Sequence, residues 1–98
     1  MLPRAADYAR AFVKDWVRLS HSARYDMTRL KEAMLLLIAN DAPLGAEWLD
    51  HPLKRRLEGD WADHRECHIG GDFLLIYQTE ANGINFVRCG THAELFGS

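Results

Sequence analysis

Arg65-Glu66-Cys67-His68-Ile69-Gly70-Gly71-Asp72-Phe73-Leu74-Leu75-Ile76-Tyr77 reads as two short strands folded back on a glycine turn. Gly70-Gly71-Asp72 is the hairpin signal, and the apolar run Phe73 to Tyr77 after it is strand-like in length and composition. A second signal, Ala81-Asn82-Gly83, is expected to supply positive φ before a strand over Ile84 to Cys89. With short strands expected over Leu57 to Trp61 and His64 to Ile69, three or four strands form an antiparallel meander. Thr91 is the expected N-cap of a last helical turn through Phe96, with Glu94 at the capping-box position.

Upstream the period changes. Residues 2 to 7 suit a short edge strand, where Pro3 need not donate an N–H. From Tyr8 to Leu19, Phe12, Val13, Trp16 and Leu19 recur at helical spacing, with Arg10, Lys14 and Arg18 at i, i+4 and i+8 on a roughly opposite face. That basic stripe is either a solvated face or a surface turned toward phosphates. Ser20 to Arg24 is a short polar turn, so the next helix, Tyr25 to Asn40 with Met27, Leu30, Met34, Leu37 and Ile38 on one face, runs antiparallel to the first. Asn40-Asp41-Ala42-Pro43-Leu44-Gly45 ends it, and a loop carrying Trp48 and His51 follows. The expected fold is one α+β domain over residues 1–98. Two antiparallel N-terminal helices pack on a twisted, mainly antiparallel sheet of four to five strands, a short C-terminal helical turn follows, and the other sheet face stays partly open.

Composition narrows the class. The chain has 98 residues, enough for one core, and a net charge of −2, which argues against strong nonspecific nucleic-acid binding. The distribution differs: residues 4–31 carry a balance of +4, and four of the five histidines lie between His51 and His92. No apolar run approaches the ~20 residues of a membrane span, and Met1-Leu2-Pro3-Arg4 lacks a signal-peptide core, so a cytoplasmic protein with no membrane partner is expected. Cys67 and Cys89 read as plain strand residues, not a bridge.

The residues around these strands suit phosphodiester chemistry. Cutting RNA without a metal needs a base for the 2′-hydroxyl, an acid for the departing 5′-oxygen and a cation for the crowded phosphate. His68 and Asp72 flank one hairpin turn, while Arg88 and His92 flank the end of the last strand. Adjacent antiparallel strands bring the two groups near each other. Arg88, inside an otherwise apolar strand, must reach solvent, a ligand or a carboxylate, with Glu66 or Asp72 as the ordinary partner.

Asp50-His51-Pro52-Leu53, Gly59-x-Trp61, Arg65-Glu66-Cys67-His68-Ile69, Asp72-Phe73-Leu74-Leu75-Ile76-Tyr77 and Arg88-x-Gly90-Thr91-His92-Ala93-Glu94-Leu95-Phe96 resemble YafQ-like toxins of the RelE/ParE superfamily. Phe12-x-Lys14-Asp15 and Leu30-Lys31 extend the resemblance across most of the chain. It implies a RelE-like fold and a type II toxin–antitoxin toxin, a ribosome-dependent endoribonuclease or mRNA interferase that inhibits translation. The same resemblance makes His92 the general acid, Asp72 or His68 the general base, Arg88 the phosphate clamp and His51 an aid at the scissile phosphate. Phe73 and Phe96 are expected to stack on a base, and Arg65, Lys54, Arg55 and Arg56 complete the substrate-binding set. Lys54 to Glu58 makes the spacing after Pro52 longer than the family usually shows. Implied partners are a cognate antitoxin, the ribosome and mRNA, with no cofactor and no metal. Three other readings compete: a ParE-like gyrase poison, whose relatives generally lack this His and Asp set; a catalytically silent binding protein; and a transition-metal protein. The spacing shows no tight Cys-x-x-Cys or His-x-x-x-His pair for the last.

Overall fold

The computed structural model describes residues 4–39, 44–53 and 63–97. The expected strand over Leu57 to Trp61 and the basic run Lys54-Arg55-Arg56 lie outside those residues. The chain begins with β1 (Ala5–Tyr8), α1 (Arg10–Ser20) and α2 (Met27–Ala39). After a 3-10 turn at Ala46–Trp48 come β2 (His51–Pro52), β3 (His64–Gly70), β4 (Phe73–Thr79), β5 (Gly83–Gly90) and α3 (His92–Phe96). The sheet runs β1-β5-β4-β3-β2; β1 lies parallel to β5 and the remaining pairs are antiparallel. None of the described helices is long and apolar enough to cross a membrane.

Both long helices start about two residues later than periodicity alone suggests. Tyr8 is the last residue of β1, held there by pairing with Phe86. At the second helix, Asp26 caps the first turn by accepting the Arg29 N–H on Oδ1 at 2.9 Å. The buried stripe of α2 is Leu30, Ala33, Met34 and Leu37, as the spacing requires. That of α1 is Phe12, Asp15 and Leu19, so a carboxylate occupies a core position while Val13, expected inside, is half exposed.

Strand alternation divides the sheet into two faces. Cys67, Ile69, Phe73, Leu75, Tyr77, Ile84, Phe86 and Cys89 meet the helices in one core. Leu74 and Ile76 point the other way, where Leu95 and Phe96 of α3 cover part of them. Each fully buried Leu, Ile or Phe contributes about 1.5–3 kcal/mol, so the larger cluster holds the fold. In β5 the inward residues are Ile84, Phe86 and Cys89, a spacing that strict alternation forbids. The ladder explains it: Tyr77 pairs with Phe86 but Ile76 pairs with Arg88, leaving Val87 as the extra residue of a β-bulge. The bulge resets the phase, placing Cys89 in the core and Arg88 on the α3 face.

The turns divide between confirmation and correction. Gly71 takes φ +54° between the paired residues Gly70 and Phe73, as a two-residue hairpin loop demands of its first residue. At the other loop, Glu80 and Gly83 exchange backbone hydrogen bonds of 2.9 and 3.4 Å, and neither Asn82 nor Gly83 has the expected positive φ. These bonds close a two-residue loop, Ala81-Asn82, and since neither of its residues has positive φ it is not one of the mirror-image hairpin turns that the Asn-Gly pair suggests. At α3 the capping box forms as read: Thr91 Oγ1 accepts the Glu94 N–H at 3.2 Å, and Glu94 Oε1 accepts the Thr91 N–H at 2.8 Å. Gly90 (φ +151°) permits the close approach, since a Cβ there would lie 2.8 Å from Glu94 Oε1.

Asp15 joins these elements. β1 covers β5 only as far as Phe86; beyond it, the Cys89 N–H donates to Asp15 Oδ2 at 3.1 Å. The same carboxylate accepts Arg88 Nε at 2.6 Å, Arg88 Nη2 at 3.1 Å and Arg18 Nη2 at 3.2 Å. Arg18 in turn pairs with Glu94 of the capping box. Removing one partner of a buried pair leaves the others unsatisfied, so Asp15→Ala is expected to lower stability by about 3 kcal/mol. Arg18→Ala, at an arginine 46% exposed, should cost less than about 1 kcal/mol. Urea unfolding of the two variants checks the contrast; equal losses would show that Asp15 does not anchor the edge.

Candidate functional site

Cross-strand pairing assembles the open face. His51 lies opposite Glu66, Glu66 opposite Ile76 and Ile76 opposite Arg88, one line across β2, β3, β4 and β5. The next line is His68, Leu74 and Gly90. Beyond it lie the Gly71-Asp72 turn and His92, the first residue of α3. Opposed residues share a face, so four of the five expected proton-transfer and clamp residues, His51, His68, Arg88 and His92, gather on the side away from the long helices. Asp72 joins them from the turn.

The ring positions form a path. His51 and His68 have centroids 6.1 Å apart, His68 and His92 6.3 Å, and His92 and Phe96 6.1 Å. Nδ1 of His92 is bound to Asp72 Oδ1, and the His92 backbone N–H approaches the same oxygen at 3.4 Å. With Nδ1 engaged, Nε2 is the nitrogen left to face a substrate. The His92 hydrogen bond holds the Asp72 carboxyl below the usual carboxylate range, with the charge of His68 adding to the effect.

Glu66 is the member that sequence reasoning missed. It is 7% exposed, and its Oε1 lies 3.1 Å from His51 Nε2 and 3.9 Å from His68 Nε2. Its signal was period 2: Glu66 and His68 alternate onto one strand face with Cys67 between them turned inward. Linear spacing offered no metal pair, yet His51, Glu66 and His68 bring three ligand atoms within 4.8 Å of one another.

Arg88 does not pair with Glu66 or Asp72, the partners expected for it. Its Nε and Nη2 are taken by Asp15, and that bond is the main reason its guanidinium holds its proton still more firmly than usual. The side chain remains 27% exposed at the site's edge.

Two expected substrate contacts, Phe73 and Arg65, lie elsewhere. Phe73 is 5% exposed in the helix-side core, edge-on to Tyr25 at 5.1 Å, so base stacking by Phe73 is corrected to core packing. Arg65 occupies the helix side of β3, where Nε donates to Asp50 Oδ1 at 3.2 Å and Tyr77 Oη at 3.3 Å. Tyr77 also donates to Asp50 at 2.5 Å; burial first, then that carboxylate, push its phenol well above the usual range. Arg65 therefore holds a structural triad on the face opposite the histidines. Phe96 packs with Leu74, Ile76 and Leu95 beside His92, placing an aromatic edge next to the site. Cys67 and Cys89 are buried and free, and burial pushes both thiols up to about 12. Neither is a nucleophile at neutral pH.

The family model described as "Bacterial toxin of type II toxin-antitoxin system, YafQ" matches residues 4–97. Over 97 residues the chain is 41% identical to the mRNA interferase toxin YafQ of Escherichia coli K12, covering 99% of this chain and all of that protein. Among solved structures, the E. coli DinJ-YafQ toxin-antitoxin complex superposes with a TM-score of 0.82 at 41% identity, covering 98% of this chain and all of that one. A metal-bound toxin from Helicobacter pylori superposes with a TM-score of 0.79 at 37% identity over 98% of this chain and all of its own.

The His92–Asp72 contact carries a pH signature. Because the folded carboxyl sits below its unfolded value of about 3.9, the pair's contribution to holding α3 is complete above that value. It is lost as pH falls through the depressed folded value. Carboxyl-carbon NMR titration is expected to show Asp72 ionising below the normal range in the parent chain and returning upward in His92→Gln. An Asp72 titration unmoved by that substitution would show that the two side chains are not coupled.

Proposed function

We propose that this chain, which belongs to the YafQ family of bacterial type II toxin–antitoxin toxins, is an mRNA interferase that cleaves translated messenger RNA on the open face of its sheet. The observation that carries the reading is the bond between His92 Nδ1 and Asp72, with His68 6.3 Å away. A histidine oriented through one nitrogen and facing solvent with the other is built to pass a proton. Asp72 therefore acts as an orienting group, and the choice between Asp72 and His68 as base falls to His68.

Cleavage then proceeds by attack of the ribose 2′-oxygen on the adjacent phosphorus. His68 takes the 2′-hydroxyl proton, while Glu66 beside it stabilises the imidazolium that forms. His92 Nε2 gives its proton to the 5′-oxygen as the P–O5′ bond breaks, leaving a 2′,3′-cyclic phosphate and a free 5′-hydroxyl. His51 and the outer edge of Arg88 supply positive charge to the crowded phosphate, whose charge grows in the transition state. Phe96, packed beside His92, limits where the neighbouring base settles. No metal ion enters these steps.

A chain of net charge −2 holds free RNA weakly, so the ribosome supplies the positioning. That places its action in the cytoplasm. The solved E. coli relative is a toxin in complex with the antitoxin DinJ, and by the same logic a cognate antitoxin restrains this chain.

In a translating extract, His92→Gln is expected to reduce cleavage by at least about 100-fold with Tm unchanged, the usual scale for losing a general acid. Asp72→Asn should fall between the parent and His92→Gln. Primer extension on the extract's mRNA reads both. Parent-level cutting by His92→Gln would refute the assignment.

A further inference from the structure

The ladder between β3 and β4 slips between the two histidine units. His68 pairs with Leu74 and Gly70 with Phe73, so Ile69 is an extra residue on β3, a bulge that strand pairing alone does not hold. Its side chain is fully buried in the helix-side core, and its carbonyl oxygen accepts a hydrogen bond from Arg29 Nε of α2 at 2.6 Å. The guanidinium is itself held: its central carbon lies 4.1 Å from the ring centroid of Trp48, which is 3% exposed on the 3-10 turn. A cation that donates to a carbonyl and rests on an aromatic face keeps little freedom of its own. Beyond the bulge the chain has no such hold. A Cβ at Gly70 or Gly71 would meet no atom within 4 Å outside its chain neighbours, so the turn stands clear of its surroundings. Asp72, at the end of that turn, has a side chain 55% exposed and bonded to His92. The turn is therefore fixed from its two bases, Ile69 on β3 and Phe73 on β4, the latter packed edge-on against Tyr25.

We infer that Arg29 is a positioning residue for RNA cleavage: by holding the Ile69 bulge it sets where the Asp72 turn stands relative to His68, and so the separation of the two histidines that transfer protons. This role rests on the proposed parts of His68 and His92, whose rings lie 6.3 Å apart. Arg29 acts only through the backbone, because it approaches β3 from α2, on the side of the sheet opposite the histidines. Substrate affinity is therefore not its concern. Proton transfer is more demanding than binding, since a displacement of about 1 Å at the reacting groups costs about 100-fold in rate. The bulge is the point where such a displacement enters, with His68 on one side of Ile69 and the Asp72–His92 contact on the other.

Arg29→Met keeps an unbranched stem against Trp48 and removes the donor, whereas Arg29→Lys keeps a cation but carries its donor at the end of the chain instead of at Nε. Two measurements on the full chain separate positioning from stability. In single-turnover cleavage of ribosome-bound mRNA, Arg29→Met is expected to lower the saturating rate by about 10–100-fold and to leave the half-saturating concentration within about twofold of the parent, with Arg29→Lys between the two. In carboxyl-carbon NMR of the chain alone, Asp72 ionises below the usual range chiefly through its His92 bond, and Arg29→Met should move it upward. Glu94, where bonds from Thr91 and Arg18 outweigh burial, should stay below its usual range. An Asp72 titration unmoved in folded Arg29→Met, cleavage at the parent rate, or a loss confined to the half-saturating concentration would overturn this role. Equal upward movement of Asp72 and Glu94 would overturn it too, as the mark of a general loosening of α3. If thermal melting shows Arg29→Met unfolded, Arg29→Lys decides by the same readings. Parent-level cleavage by His92→Gln would instead sink the ribonuclease reading, and the Asp72 titration would still report whether Arg29 holds the turn.

Discussion

A single carboxylate on α1, Asp15, receives hydrogen bonds from Arg18, from Arg88 and from the backbone of Cys89. It does so at the point where β1 stops covering β5. Without it, the Cys89 N–H and the Arg88 guanidinium would meet the edge of an apolar core with no acceptor. Through Arg18 the same anchor reaches Glu94, whose side chain closes the capping box of α3. The helix that carries His92 is therefore tied to the long-helix layer by an ionic chain, although it packs on the other face of the sheet.

The open face depends on a second constraint, the extra residue in β5. Strict alternation would send Arg88 into the helix-side core and Cys89 outward. The bulge at Val87 exchanges them, so an arginine turns out of the core and a thiol packs inside. Pairing of β2 with β3 then does the rest, since His51, Glu66 and His68 need only share a strand face to meet. A small domain thus presents two side-chain groups on one face, His92 with Asp72 and His68 with Glu66 and His51. Each is held by backbone geometry more than by long flexible side chains.

The hairpins, the two helices and the capping box were legible because their signals are local: Gly70-Gly71-Asp72, the 3.6-residue stripes, and Thr91 three residues before Glu94. The histidines and Asp72 were likewise legible as a set. What stayed hidden depends on register or on the other face. Asp15 reads as one acid among the charges of α1 until its place between Phe12 and Leu19 on the buried stripe is counted. Glu66 looks like a partner for Arg88 until the strands pair and put Ile76 between them. Phe73 and Arg65 adjoin residues of the candidate site in sequence, and both turn to the opposite face. The parallel pairing of β1 with the distant β5 has no local signature at all.

The central claim is a division of labour in which His92 protonates the leaving oxygen and His68 accepts the 2′-proton. It is tested most directly by single-turnover cleavage of a ribosome-bound mRNA in which sulfur replaces the bridging 5′-oxygen at the cleaved bond. A thiolate leaves without needing a proton, so the account predicts that the defect of His92→Gln largely disappears on this substrate while that of His68→Ala persists. An equal His92→Gln defect on the oxygen and sulfur substrates would contradict it.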